Sequence, residues 1–197
     1  MIDAERPVYV VAGGPSLRGF DWRRLDGRQV VAINRAYEVL PDAAMLWWSD
    51  AGFWRRNRQP IHAHRAPLKA TVALPEDRFA YPLDVTIYRA TGVDGFDGTT
   101  GAIRHGCNSG YAAIHAAAGL GARRIVVMGL DMRHEGAMTH WHTGHGMLHV
   151  ERTLRDRMLP HFASLAAALS ARGVEVVNAS PASLVDCWPK AALDDVL

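Results

Sequence analysis

The chain has 197 residues, 49% of them apolar and 21% charged, and carries a net charge of +2 when its histidines are neutral. That length supports one domain with a sizeable core rather than two, and that balance excludes both a disordered chain and a membrane-embedded one. So small a net charge also excludes broad nucleic-acid binding driven by counterion release.

Pro7 to Ala12 is a nearly continuous apolar run that ends in two glycines, the pattern of a parallel strand covered on both faces. Arg28–Ile33 and Ala44–Ser49 repeat it, each followed by a polar residue, Asn34 and Asp50. From Asp50 to Arg65 the composition predicts a helix and then a loop, with a basic cluster at Arg55, Arg56 and Arg58 and prolines at Pro60 and Pro67. Lys69–Leu74 and Asp84–Ala90 read as weaker strands. Thr91–Gly106, with its five glycines, reads as a loop. Asn108 has the character of an N-cap for a helix over Ser109–Gly119. Arg124–Leu130 is the strongest buried-strand signal and ends at Asp131, before a histidine-rich loop over Arg133–Gly146. Met147–Arg172 reads as helix broken at Pro160, which has no N–H to donate, and Gly173 stops it. Val174–Asn178 gives a last strand before Ser180-Pro181-Ala182-Ser183.

Strands alternating with helices in this way predict an α/β, Rossmann-like fold: a mostly parallel sheet flanked by helices, in a single domain over residues 1–197. Ligands of such sheets lie outside the carboxyl ends of the strands. No apolar run approaches the roughly 20 residues that cross a bilayer, and Met1–Arg6 lacks the character of a signal peptide, so a cytoplasmic protein is expected. Cys107 and Cys187 lie far apart and without metal-ligand spacing, which points to reduced thiols. Of the 22 basic residues only Lys69 and Lys190 are lysines; the arginines that make up the rest can grip phosphate with two prongs.

The chemistry-bearing residues gather at the predicted strand ends. In Ala12-Gly13-Gly14-Pro15-Ser16-Leu17 two glycines allow backbone amides to approach a phosphate or ribose, Pro15 stiffens the turn and Ser16 can donate to an anion. The segment is neither a Walker loop nor a full G-x-G-x-x-G fingerprint, so it reads either as a nucleotide loop or as a plain strand-to-helix turn. Asn34 offers a donor and an acceptor to a base, ribose or sugar, or caps the next helix. Asp50 and Asp131 suit hydroxyls or a divalent ion, or cap a turn. Asn108-Ser109-Gly110 puts a polar pair at a helix N-terminus, where dipole and free amides favour phosphate. His134, His140, His142, His145 and His149 place half of the ten histidines within sixteen residues. Imidazoles there can serve as a base, as phosphate partners, as metal ligands, or simply as solvent-facing side chains. Trp47-Trp48 and Phe53-Trp54 read as core.

The order of these motifs carries a resemblance. G-G-P-S-L after the first strand, V-x-x-A-I-N-R at the second, N-S-G-Y-A-A-I-H-A-A-A-G-L-G-A-R-R-I-V-V-M-G-L-D, and then T-H-W-H-T-G-H resemble the bacterial lipooligosaccharide sialyltransferases. The motifs are also similar to the flagellin motility-accessory-factor glycosyltransferases and to the 6-hydroxymethylpterin diphosphokinases. The resemblance runs from about Val8 to Ser183 and is weakest over residues 57–106. It implies that Gly13, Gly14, Pro15, Ser16 and Asn34 hold a cytidine-monophosphate-linked sugar donor, with Ser109 and Gly110 facing the same donor. It implies a histidine general base, with His140 in Thr139-His140-Trp141 as first candidate and His142 and His145 as alternatives. Where the family supports the leaving phosphate with two tyrosines, this chain has Arg133, His134 and Trp141, and a basic residue can do that work without metal.

The expectation is thus a metal-independent, sialyltransferase-like glycosyltransferase with no cofactor beyond its nucleotide-sugar donor. His140 or His145 would act as base, Arg133 would steady the nucleotide, and the acceptor would be a glycan or small molecule. Asp50, Asn108 and Asp131 are expected beside the donor, and homo-oligomerisation is left open. Two alternatives stand. One is a pterin-type phosphoryl-transfer enzyme needing a divalent ion on Asp50 and Asp131. The other is a non-catalytic nucleotide-binding phage or accessory protein.

Overall fold

The computed structural model describes residues 2–73, 81–143 and 150–197. Eight strands among them form one sheet: β1 (Val8–Val11), β2 (Gln29–Ile33), β3 (Met45–Trp48), β4 (Leu68–Ala73), β5 (Val85–Gly92), β6 (Ala102–Arg104), β7 (Arg124–Met128) and β8 (Glu175–Asn178). Their order is β6-β5-β4-β3-β2-β1-β7-β8, and every neighbouring pair is parallel. The chain starts in the middle, winds outward through β6, and returns to the other side of β1 for β7 and β8. The strand order therefore reverses between β1 and β7, the place where doubly wound sheets open a crevice.

Parallel pairing explains the apolar runs. In β1 all four residues are buried, Val8 and Val10 against one layer and Tyr9 and Val11 against the other. The first layer holds α2 (Ser109–Gly119) and α4 (Phe162–Ser170). Every residue of α2 from Gly110 to Ala117 is buried, because the helix lies between the sheet and α4, with the Tyr111 and Phe162 rings 5.6 Å apart. Small alanines permit that double burial. The second layer is built differently. Short 3₁₀ turns at Pro15–Leu17, Trp22–Leu25 and Asn34–Glu38, α1 (Ala51–Ala63) and the terminal α5 (Leu193–Val196) cover it.

Two predicted segments came out otherwise. Thr91–Gly106 is not all loop: Thr91 and Gly92 extend β5, and Ala102–Arg104 forms the edge strand β6. Its glycines hid the strand, whereas tertiary contacts pin the segment. His115 of α2 accepts the Asp97 amide at Nε2 (2.8 Å), and its ring stacks on Phe96 at 4.3 Å. The second is the predicted Met147–Arg172 helix, whose described part is broken more widely than at Pro160 alone. After α3 (Glu151–Thr153) come a π turn over Leu154–Met158, a 3₁₀ turn over Leu159–His161 and then α4. The missing N–H of Pro160 is the local cause. Pro60, by contrast, sits inside α1, which ends three residues later.

His115 is 1% exposed, and burial pushes its pKa down to about 4. The folded protein thus resists protonation that the unfolded chain accepts near pH 6.5. Stability is complete above that value and declines as pH falls from about 6.5 to 4, by up to about 1.4 kcal/mol per pH unit. Urea unfolding across that range should show the decline, and His115→Gln, which keeps an acceptor without the titration, should flatten it.

Candidate functional site

A cavity of about 360 Å³ lies over the carboxyl ends of β1, β2 and β7, at the reversal of strand order. The Ala12–Ser16 loop forms one wall. Its shape is set by hydrogen bonds to the end of β7: Ala12 N–H donates to Met128 O (2.8 Å) and Gly14 N–H to Gly129 O (2.7 Å). A Cβ at Gly14 would sit 2.5 Å from both Gly129 O and Asp131 Oδ2, so only glycine fits. Asp131, 4% exposed, receives the Ser16 amide on Oδ2 (2.7 Å) and the Ser16 hydroxyl on Oδ1 (2.6 Å). Behind it, Ser180 Oγ accepts the Gly129 amide (3.0 Å) and the Ser183 hydroxyl donates to Leu130 O (2.6 Å). The Ser180–Ser183 segment is a buttress.

The opposite wall is the N-terminus of α2. Asn108 caps it, its Oδ1 accepting from Gly110 N–H (2.7 Å) and Tyr111 N–H (3.2 Å), while its Nδ2 faces the sulfurs of Met132 and Met158. Both ends of the Asn108 amide are used by the fold. The Ser109 amide lies outside this cap, and Ser109 itself lines the cavity. A Cβ at Gly110 would lie 2.6 Å from Leu130 Cδ1 and 2.9 Å from the capping Asn108 Oδ1, so both side chains would have to shift.

Backbone strain collects here. The three non-glycine residues with positive φ among those described are Asn34 (51°), Cys107 (52°) and Met132 (54°), and all three line the cavity. Each such residue costs on the order of 1–3 kcal/mol, and strain of that kind clusters at functional sites. Asn34 Oδ1 is buried without a hydrogen-bond partner. Basic groups surround the space: Arg35, Arg56, Arg133, His134, His140 and His142 line it together with two carboxylates, Asp50 and Asp131. Both carboxylates already serve the backbone, for Asp50 caps α1 through Gly52 N–H (2.7 Å) and Phe53 N–H (3.1 Å), with Arg56 at 3.6 Å.

The histidine segment closes the third side. Trp141 N–H donates to Gly13 O (3.0 Å) and its indole Nε1–H to Ala12 O (3.1 Å), so the segment is docked on the glycine loop. The Trp141 ring turns away from the cavity to Trp22, 4.8 Å off. His140 and His142 flank it, stacked at 5.2 Å, over Gly13. A Cβ there would lie 2.8 Å from His140 Cδ2 and 3.4 Å from His142 Nε2. His142 Nδ1 is 3.3 Å from the Thr143 carbonyl, a contact that an Nδ1–H would satisfy. Burial lowers the His142 pKa, which favours the neutral form. His140 Nδ1 meets the Thr139 hydroxyl at 2.9 Å, a partner compatible with either tautomer.

Of the residues singled out in the sequence, Gly13, Gly14, Asn34, Asp50, Asn108, Ser109, Gly110, Asp131, Arg133 and His140 all border this one cavity. Pro15 and Ser16 do not: Pro15 is buried in the first 3₁₀ turn and Ser16 is spent on Asp131. His145 and His149 lie outside the described residues. Arg35, Arg56, Cys107 and Met132 were not singled out as site residues. Arg35 was within reach of sequence reasoning, because it adjoins Asn34 at a strand end. Arg56 was visible as part of a basic cluster, but its face depends on the phase of α1.

No protein-family model and no curated protein matches the chain. Among solved structures it is similar to the sialyltransferase CstII from Campylobacter jejuni. Against CstII in complex with a substrate analogue, CMP-3FNeuAc, the TM-score is 0.57 at 14% identity, covering 95% of this chain and 86% of that one. Against CstII with cytidine-5'-monophosphate the TM-score is 0.54 at 14% identity, covering 93% and 84%. The chain has a sialyltransferase-like fold. No helix among the described residues is long and apolar enough to cross a membrane.

Asp131 is the hinge pin of this arrangement. Asp131→Ala removes the acceptor of the Ser16 amide and hydroxyl; because Ser16 is exposed and water can replace part of what is lost, the change should cost about 1–2 kcal/mol in urea or thermal unfolding. Asp131→Asn should cost much less. Its oxygen can still take the Ser16 amide, and the Ser16 hydroxyl can turn to donate to Ser180 Oγ, 3.2 Å away.

Proposed function

We propose that the chain is a glycosyltransferase that binds a nucleotide sugar, with a cytidine monophosphate moiety, in the cavity between Gly13 and Ser109. The observation that carries this reading is the meeting of three anion-seeking features in one space: the glycine loop, the Ser109 amide at the start of α2, and the guanidinium groups of Arg35, Arg56 and Arg133, with His140 and His142 beside them. The likeness to a sialyltransferase solved with cytidine-5'-monophosphate supports the choice of nucleotide.

In the proposed reaction an acceptor hydroxyl oxygen attacks the anomeric carbon of the donor. The bond from that carbon to the phosphate oxygen breaks, and the nucleotide leaves with its electron pair. A histidine of the stacked pair takes the hydroxyl proton. The sequence ranks His140 first, and His142, whose ring burial keeps neutral, is the alternative. The other imidazole, with Arg133 and Arg56, stabilises charge growing on the phosphate, a role that needs no metal. Asn34, with its unmet buried acceptor, is suited to a ribose hydroxyl or an exocyclic amine. The loop fixed by Asp131 and the strain at Asn34, Cys107 and Met132 keep these groups in place before the ligand arrives. Phosphoryl transfer on a metal held by Asp50 and Asp131 has less support, since both carboxylates are tied to backbone amides.

Titration with cytidine-5'-monophosphate in the presence of a chelator should show binding by calorimetry, with a marked loss in Gly13→Val, whose side chain would collide with His140. Binding that needs magnesium and adenosine triphosphate would overturn the reading in favour of phosphoryl transfer. With a cytidine-linked sugar and an acceptor, one of His140→Ala and His142→Ala should slow transfer on the order of 100- to 10,000-fold while nucleotide binding persists. Normal transfer by both variants would contradict the assignment of the base to this pair.

A further inference from the structure

A second cavity, of about 530 Å³, opens beside the first. Its floor is the edge of β3 to β6, through Ser49, Val72, Ala90 and His105, and its outer wall carries Thr153 and Arg157. Asp50, Cys107, Asn108, Ser109 and Met158 line both spaces. The two cavities therefore meet at the start of α2, beside the amide suited to a donor phosphate. A bond broken at that wall has the leaving nucleotide on one side and the second cavity on the other. The π turn over Leu154–Met158 serves both: Leu154 and Met158 face the first cavity, while Arg157 and the preceding Thr153 face the second. Such turns are frequent at functional sites.

The lining indicates the class of occupant. Hydroxyl-seeking groups are plentiful. Ser49 Oγ accepts from the Trp47 indole (3.1 Å), which leaves its own O–H to donate elsewhere, and Thr153, Tyr81 and the Asp50 carboxylate share the lining. Two further groups favour an anion. Arg152 and Arg155 pair with Asp156, whereas Arg157 has no acidic partner among the described residues. His105 Nδ1 accepts the Cys107 amide (3.1 Å), which fixes the proton of its neutral ring on Nε2 and makes that nitrogen a donor. Burial lowers the His105 pKa and keeps the ring in this form at neutral pH.

We infer that the second cavity is the subsite of the second substrate and takes a carboxylate-bearing sugar, held by Arg157 and the Nε2–H of His105. The inference rests on the glycosyl-transfer reading for its place in a reaction, but the sugar site itself can be tested alone. The probes are D-galacturonate and D-galactose, which differ in the carboxylate, titrated by ligand-observed NMR into protein saturated with cytidine-5'-monophosphate. Galacturonate should bind at least fivefold more tightly than galactose and without displacing the nucleotide. Arg157→Gln, at an exposed position, should remove that preference and leave nucleotide affinity unchanged. Equal binding of the two sugars, displacement of the nucleotide by galacturonate, a preference that survives in Arg157→Gln, or no sugar binding would overturn the inference. Failure of the nucleotide itself to bind counts against the function proposed above instead. Galacturonate against galactose, titrated into nucleotide-free protein and its Arg157→Gln variant, then decides the sugar site by the same criteria.

Discussion

The close passage of Gly14 over the end of β7 is the constraint on which the rest depends. Two backbone strands of the loop and the sheet lie so near that a single methyl group would strike a carbonyl and a carboxylate at 2.5 Å. That approach lets Gly14 N–H reach Gly129 O and brings Ser16 onto Asp131, so the loop leaving β1 and the turn leaving β7 behave as one body. Because β1 and β7 flank the reversal of strand order, locking their ends together sets the width of the crevice there. The buttress of Ser180 and Ser183 carries the same rigidity into β8.

From this anchor the remaining walls follow. Trp141 hangs the histidine segment on the two carbonyls of Ala12 and Gly13, so the imidazoles are positioned by the same loop that borders the cavity. On the far side, α2 is buried along most of its length, which fixes its N-terminus relative to the sheet rather than to solvent. A preformed space of this kind loses little entropy when a ligand arrives. The strained backbone at Asn34, Cys107 and Met132 is the cost of such rigidity, borne by the stability of the sheet.

Much of this was legible in the sequence, and the reasons are physical. Central parallel strands must be apolar on both faces, so β1, β2, β3 and β7 announce themselves within a residue or two of their observed ends. Asn108 is a cap by chemistry as well as by position. The edge strand β6 was hidden, because three residues held by neighbours among five glycines leave no periodic signal. Ser16 and Asp131 were recognisable as polar residues at strand ends, but not as partners of each other. A contact between residues 115 positions apart belongs to topology, and no local pattern encodes it. For the same reason the tautomer of His105, which decides donor from acceptor, emerges only with the neighbouring backbone.

The central claim is that the glycine loop and the start of α2 serve one phosphorylated ligand. Amide NMR of the isotope-labelled protein titrated with cytidine-5'-monophosphate tests it most directly. The account predicts that the Gly13 and Ser109 amides shift together, saturating at the same ligand concentration. Shifts confined to one of the two, or gathered on a different face of the sheet, would contradict it.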